Sequence, residues 1–509
     1  MRLLKLIHEL SLGDKYCSDD DMEILGITNI SSNVKPGFIF VAIKGFKLDG
    51  HDYVQEAIKS GAVAIVTERN VTVNDGIVQI NVTNTRKALS KLCSRFFCHP
   101  SRKIKVIGVT GTNGKTTTTY LIKSIIENSH SYVGLSDGIQ TSEEGSSGDV
   151  KTGLIGTVEY LIGEKSLPAV ETTPESVNLH YMLSKMVDRN LQYAVMEVSS
   201  QSLTQYRTYD VEFHAAVFTN LTSEHLDYHN TLAEYVEAKS RLFQRLKGNA
   251  FAILNADDEA SNYLAQKTDA IPLWYGIKNR ADVCCKVMEH FPDSTVVVLS
   301  YGNDEIEIKI PLLGLYNVYN VLAATACCLA SGISLDAVKR GVEAFRNVPG
   351  RMESVDCGQR FKVFIDYAHT AHALDAVLQS IRKVMHNKGR LLTVFGCGGD
   401  RDREKRPEMG RVAVEYSDNV WITNDNPRSE DPEKIIMDIQ RGMMKGASYC
   451  IQPDRSMAIR EAIIGAKPDD IVLIAGKGHE TGQIVGNRVF EFSDKDVANR
   501  ILMALAGNN

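Results

Sequence analysis

Val106-Ile-Gly-Val-Thr-Gly-Thr-Asn-Gly-Lys-Thr-Thr117 is the stretch on which the reading of this chain turns. The β-branched run from Ile104 to Val109 predicts a buried parallel strand. Glycines at 108, 111 and 114 predict a turn, and Lys115 with the threonines after it opens a helix through Tyr120-Leu-Ile-Lys-Ser-Ile-Ile. Strand, glycine turn, Lys-Thr and helix, in that order, are the context a phosphate-binding loop requires. Glycines let backbone N–H groups curl around phosphate oxygens, and the helix N-terminus adds partial positive charge. In such a loop Lys115 neutralises the β- and γ-phosphates, and Thr116 offers its hydroxyl to Mg²⁺. The spacing departs from G-x-x-x-x-G-K-[ST]: Val109 stands where the first glycine belongs, and Gly108 lies one residue early. The residues point to an α/β protein that uses ATP or GTP.

A chain of 509 residues exceeds one core, and usual domain sizes give roughly three or four domains. Its 43% hydrophobic and 24% charged residues are ordinary for a soluble globular protein. A net charge of −6 with no basic run argues against nucleic acid as a partner. Met1-Arg-Leu-Leu-Lys-Leu-Ile-His-Glu-Leu reads as an amphipathic helix, not a signal peptide, and no apolar run reaches the roughly 18 residues of a membrane span. A cytoplasmic protein without a membrane partner is expected. None of the ten cysteines has zinc-site spacing, so free buried thiols are expected.

Beyond the loop, polar residues gather at predicted strand ends, where open α/β sheets hold their ligands. Tyr193-Ala-Val-Met-Glu197-Val-Ser-Ser200 is an apolar strand ending in a carboxylate and two hydroxyls, a place for a Mg²⁺ ligand. Ahead of it, Thr172 or Thr173 is expected to cap a helix whose first turn takes Pro174 and Glu175. Ala215-Ala-Val-Phe-Thr-Asn220 leads into a run with His225 and His229, of which one is expected to serve Mg²⁺ or substrate. Lys239 falls on a helix, where composition alone makes a lysine a solvated surface charge. Val296 to Leu299 and Glu305 to Ile310 read as an antiparallel pair. In the last third, strands at Lys362 to Asp366, Arg390 to Phe395, Asn419 to Thr423 and Ile471 to Ala475 alternate with helices, a second doubly wound domain. They end in Asp366-Tyr-Ala-His369, Gly396-Cys-Gly-Gly-Asp400-Arg401-Asp402, Thr423-Asn-Asp-Asn-Pro-Arg428 and Gly476-Lys-Gly-His-Glu480.

Taken in order, Gly111 to Thr117, Glu197-Val-Ser-Ser, Asn220 with His225 to His229, Asn317-Val-Tyr-Asn320, Val348-Pro-Gly-Arg351-Met-Glu353, Asp366 to Thr370, Gly398 to Asp402 and Gly476 to Glu480 resemble the Mur ligases, and among them the MurE type. The resemblance covers nearly the whole chain. It implies three domains: an N-terminal α/β UDP-substrate domain at 1–102, a central ATP-binding domain at 103–345, and a C-terminal Rossmann-like ligase domain at 346–509. The central one has a parallel sheet like that of P-loop NTPases plus a small antiparallel sheet. It also implies an ATP-dependent amide ligase of peptidoglycan synthesis that adds meso-2,6-diaminopimelate to UDP-MurNAc-L-Ala-D-Glu through an acyl phosphate, and a monomer.

Carried over by motif, Gly111, Thr112, Asn113, Gly114, Lys115, Thr116, Thr117, Asn320, Arg351 and Asp366 bind ATP. Thr116, Glu197, His225 and a carbamylated Lys239 serve two Mg²⁺ ions, and Lys115, Lys239, His225 and Glu197 are the catalytic set. The resemblance thus reverses the bland reading of Lys239. Ser31, Thr172, Thr173, Ser199 and Arg207 bind the UDP-MurNAc-dipeptide. Arg401, Asp425, Asn426, Pro427, Arg428, Gly476 and Glu480 bind the diamino acid, with Arg428 gripping its distal carboxylate bidentately and Glu480 facing its distal ammonium. A site divided between domains implies closure that excludes water from the acyl phosphate.

Three departures stand out. Ile30-Ser31-Ser32 replaces the family's Asp-Ser-Arg, Gln201 replaces a histidine after Glu197-Val-Ser-Ser, and Leu135 to Thr152 has the look of an acidic insertion. They leave open a Mur-like ligase that takes another amine, such as L-lysine, or a non-muramyl carboxylate.

Overall fold

The computed structural model describes residues 1–8, 10, 22–45, 48–73, 76–129, 150–222, 226–229, 231–291, 293–386 and 388–506. The expected insertion at 135–152 therefore lies almost wholly outside the described residues, as does His225. The backbone divides into two compact units. The first comprises Met1–Lys115, Ile126–Tyr275 and Ala326–Ile333, and the second Thr116–Ile125, Gly276–Thr325 and Ser334–Asn509.

The first unit begins with a four-stranded sheet of β1 (Gly26–Thr28), β2 (Phe38–Val41), β3 (Ala62–Thr67) and β4 (Val78–Asn81), parallel and in sequence order. The helix Thr85–Phe96, capped by Asn84 accepting from the Lys87 amide, packs Leu89, Leu92 and Cys93 into its core. The phosphate-loop strand then enters a second sheet as β5 (Lys105–Thr110), with β6 (Thr152–Ile155), β7 (Glu159–Ile162), β8 (Lys165–Pro168), β9 (Tyr193–Glu197), β10 (Ala215–Phe218), β11 (Phe251–Asn255) and β12 (Ile271–Gly276). Within this unit the order is β12-β11-β10-β5-β9-β6-β7-β8, parallel from β12 to β6 and antiparallel beyond. β5 thus lies between β9 and β10, deep in the sheet. Gly108 is glycine for packing and not for the loop: a Cβ there would overlap the Phe213 ring.

The second unit holds an antiparallel meander of β13 (Val283–His290), β14 (Thr295–Tyr301) and β15 (Asp304–Ile310). The β14–β15 turn is only Gly302-Asn303, narrower than the sequence implies, with Gly302 in the left-handed region at φ 62°. A six-stranded sheet follows: β16 (Glu353–Ser354), β17 (Lys362–Asp366), β18 (Leu391–Phe395), β19 (Asn419–Ile422), β20 (Tyr449–Ile451) and β21 (Ile471–Ala475), ordered β16-β17-β21-β18-β19-β20. All neighbours but β16–β17 are parallel. Strand periodicity divides its core: Phe364, Leu391 and Phe395 face the helices Ala371–Met385 and Lys405–Tyr416, while Val363, Ile365, Leu392 and Val394 face Arg455–Ile464 and Asp494–Ala506. The hairpin β22 (Gly482–Val485) and β23 (Arg488–Glu491) stands apart from this sheet.

No helix among the described residues is long and apolar enough to cross a membrane. The described cysteines are free thiols. Burial pushes those of Cys327 and Cys397 up to about 12, so they behave as small core residues.

Candidate active site

In the first unit, the turn after β5 is held from the neighbouring strand end. Gly111 sits at φ 146°, and a Cβ there would overlap Thr219 Oγ1, so only glycine fits. The Asn113 amide donates to Asn220 Oδ1 at 2.9 Å, the Thr112 amide to the Asn220 carbonyl at 2.8 Å, and Thr219 Oγ1 to the Asn113 carbonyl at 2.6 Å. Lys115 Nζ donates to the carbonyls of Gly111 at 3.0 Å and Thr112 at 2.7 Å.

Lys239, on the helix Leu232–Phe243, is not a surface charge. It is 1% exposed, lies 4.1 Å over the Tyr235 ring, and donates to the same Gly111 carbonyl at 2.9 Å. Two lysine nitrogens thus converge on one oxygen of the phosphate loop, a concentration of positive charge suited to polyphosphate.

Glu197 ends β9 beside Val109, with which it is in register. It is fully buried; its Oε1 accepts from the Thr157 amide at 2.7 Å and its Oε2 from the Thr157 hydroxyl at 3.0 Å. These two donors, from one residue, orient the carboxylate. A Cβ at Gly156 would sit against Oε1, which keeps that side of the carboxylate clear.

The expected cap at Thr172 or Thr173 does not form. The helix spans Ser176–Asp188, begins after Glu175 and has no side-chain cap. Thr173 instead bridges to β9: its hydroxyl donates to the Glu197 carbonyl at 2.9 Å and accepts from the Ser199 amide at 3.0 Å. Thr172 Oγ1 lies 3.1 Å from Thr157 Oγ1, and Ser199 Oγ caps the next helix by accepting from the Ser202 amide. Long-range pairing of these hydroxyls outweighs the local cap. Arg207 is clasped by Glu171 at 2.7 Å and Glu175 at 2.9 Å and donates to the Thr173 carbonyl. Burial raises the Glu175 carboxyl, and Arg207 opposes that rise. His229 is buried, with Nε2 2.8 Å from Ser200 Oγ. Ser31 occupies the 3₁₀ turn Ser31–Asn33.

In the second unit, Thr116, Asn320, Arg351 and Asp366 draw together. Arg351 Nη2 lies 3.4 Å from Thr116 Oγ1, and its guanidinium stacks 4.5 Å over Tyr367. Thr118 donates to Asn320 Oδ1 at 3.4 Å. Asp366 accepts from the Met352 and Ala368 amides, both at 2.7 Å; burial raises its carboxyl, with Arg351 and these amides pulling it back. Gly350 and Gly478 meet face to face: a Cβ on Gly350 would overlap the backbone of Gly478 and His479, and one on Gly478 would press on the Gly350 carbonyl.

The other strand ends of the six-stranded sheet form one cluster. Asn426 Nδ2 donates to Glu480 Oε2 at 2.8 Å, and Gly476, at φ 114°, leaves room for the Asp425 carboxylate. Arg428 adopts φ 52°, and its Nη1 donates to the Gly399 carbonyl at 2.8 Å. Arg401 is exposed and donates to the Asp400 carbonyl at 3.5 Å. Two residues given no role by the sequence reading join this cluster. Lys477 is fully buried between Asn426 and Glu480, and Arg455 is paired with Asp494 under the Gly476 turn. Lys477 lies inside a quoted motif, whereas nothing in the sequence marks Arg455.

Comparison with known proteins bears on all three regions. Residues 23–97 match the Mur ligase family catalytic domain, 109–328 the Mur ligase middle domain, and 350–478 the Mur ligase glutamate ligase domain. A Bacillus licheniformis protein named UDP-N-acetylmuramoyl-L-alanyl-D-glutamate–2,6-diaminopimelate ligase is 43% identical over 511 aligned positions, covering 99% of this chain and all of the relative. The Geobacillus thermodenitrificans protein of the same name is 44% identical, covering 94% of each chain. A solved structure of a ligase of that name superposes with a TM-score of 0.67 at 29% identity, over 95% of both chains. Likeness of this extent reaches both sheets of the first unit and the six-stranded sheet of the second: the chain belongs to the Mur ligase family.

Proposed function

We propose that this protein is the cytoplasmic ligase that joins meso-2,6-diaminopimelate to UDP-MurNAc-L-Ala-D-Glu with conversion of ATP to ADP and phosphate. The observation that carries this reading is the full-length likeness to two relatives whose names state that pair of substrates. The residues suit it. A carboxylate oxygen of the dipeptide attacks the γ-phosphorus, ADP leaves, and the amine attacks the acyl carbon, releasing phosphate and a proton. Lys115 and the glycine-loop amides serve the phosphates; Asn320, Arg351 and Asp366 serve the rest of the nucleotide.

Mg²⁺, when bound, neutralises phosphate charge. Among the described residues no group of three or more acidic, histidine or cysteine side chains forms a protein-only metal site. The Thr116 hydroxyl and the buried Glu197 carboxylate carry hard oxygen donors of the kind such an ion would take. Lys239 fits carbamylation. As a carbamate it would keep an N–H for the Gly111 carbonyl while relieving the crowding of two ammonium groups on that oxygen.

Ser31, Thr172, Thr173, Ser199 and Arg207 are the proposed dipeptide contacts. Arg401, the Asp425–Arg428 segment, Gly476 and Glu480 are the proposed amine contacts, with Arg428 as the carboxylate grip. The division 1–102, 103–345 and 346–509 follows the change from one sheet to the next. The test is ADP release with UDP-MurNAc-dipeptide plus diaminopimelate, plus L-lysine, or with neither amine. Release that requires both the dipeptide and diaminopimelate is expected. Indifference to the dipeptide, or equal rates with lysine, would overturn the reading.

A further inference from the structure

The Asp425–Arg428 segment is held from behind by groups that the proposed reaction does not use. Asn426 is 3% exposed, and its Oδ1 accepts from two directions: from Lys477 Nζ at 3.0 Å and from the Ile484 amide at 2.9 Å. A side-chain amide has an oxygen end and a nitrogen end of equal size, and only its neighbours decide which way it faces. Two donors on one end make that end the oxygen. The NH₂ end must then point to Glu480 Oε2, where it donates at 2.8 Å. Lys477 Nζ donates to that same Oε2 at 3.0 Å. One fully buried ammonium therefore sets both the Asn426 amide and the Glu480 carboxylate, whose side chain reaches solvent at 32% exposure.

The hairpin strand β22 grips the remainder of the segment. Gln483 Nε2 donates to the Asp425 carbonyl at 2.8 Å. The Arg428 amide donates to the Ile484 carbonyl at 3.0 Å, and the Gly486 amide to the Arg428 carbonyl at 2.7 Å. Arg428 needs this support, because φ 52° is a left-handed conformation that a non-glycine residue adopts only at a cost. A buried lysine also gives up its hydration, so a neutral side chain would be the less costly way to fill this space.

We propose that Lys477, acting with the β22 strand, is a positioning residue for amine selection: it fixes the donor end of Asn426 and the free edge of Glu480 toward the second charged end of a diamino acid. This rests on the proposed function. It makes Lys477 touch neither nucleotide nor substrate; it acts through Asn426 and Glu480.

The experiment compares the wild type with Lys477→Met, Lys477→Gln and Gln483→Ala, measuring KM for each of the three substrates, kcat, and thermal melting. Lys477→Met keeps the volume and removes the donors. It is expected to raise the amine KM at least tenfold, leave the ATP and UDP-dipeptide KM values within twofold, and reduce the preference for diaminopimelate over L-lysine. Lys477→Gln, with one donor end, recovers part of the loss. Gln483→Ala, on the partly exposed hairpin, raises the amine KM two- to fivefold and serves if the buried substitutions do not fold. An unchanged amine KM in every folded variant, or an equal rise for all three substrates, overturns the inference while the functional reading stands. A wild type without diaminopimelate-dependent ADP release overturns the functional reading, and the inference falls with it.

Discussion

Replacing His180 tests how the first unit responds to acid. His180 lies on the helix Ser176–Asp188, is fully buried, and neither ring nitrogen has a hydrogen-bond partner among the described residues. Burial, aided by the charge of His99, pushes its pKa down to about 3 from 6.5. In the unfolded chain the ring titrates near its ordinary value of about 6.5. Between these values the unfolded chain takes up a proton that the folded chain refuses, so stability is lost as pH falls below the unfolded pKa and continues to fall down to the folded one. At pH 5 the loss is about 2 kcal/mol relative to pH 8, taking about 1.4 kcal/mol for each pH unit once the unfolded ring is mostly protonated. His180→Leu removes this term and the cost of two unsatisfied nitrogens. With Trp421→Phe in both backgrounds, Trp274 on β12 is the remaining tryptophan and reports this unit in urea titrations. The wild type should lose about 2 kcal/mol more than the leucine variant between pH 8 and pH 5. Equal losses would show that the ring is solvated or paired in the folded protein, and the argument would be wrong.

Gly111→Ala forces a Cβ onto Thr219 Oγ1 at a φ that alanine avoids; the ATP KM should rise by roughly tenfold or more, as steady-state kinetics would show. Thr157→Val removes the hydroxyl on Glu197 Oε2 but keeps the amide on Oε1. The Mg²⁺ concentration for half-maximal activity should rise by about three- to tenfold, and an unchanged midpoint in a metal titration would count against Glu197 as a ligand. Arg428→Ala should lower kcat/KM for diaminopimelate by roughly a hundredfold and that for L-lysine far less, a difference that competition between the two amines would reveal.

Where burial is two-sided, the sequence announces it. Lys362 to Asp366 and Ile471 to Ala475 are strands over the residues that their apolar runs mark. The edge strand Tyr449–Ile451 is exposed throughout, and β22–β23 is exposed or half-exposed, so neither carries a pattern to read. Lys239 and Lys477 fail for a different reason. A lysine goes inside only when its partners are assembled, and the Gly111 carbonyl is 128 residues from Lys239. Motif likeness singled out Lys239 where periodicity could not. Thr173 illustrates the reverse error, a sound local capping rule overruled by a β9 strand end that supplies a better partner.

The facing pair Gly350 and Gly478 restricts how this family member can change over generations. Each glycine occupies the space that the other's methyl group would need. A single substitution at either site is penalised, and a second one at the other site worsens the collision, so no two-step path repairs the damage. Neutral drift is closed at both positions together. Because Gly350 precedes Arg351 and Gly478 lies between Lys477 and Glu480, the turns that carry this arginine and this carboxylate are constrained as one block, and a chimera that exchanges only one of them should be sought with both glycines retained.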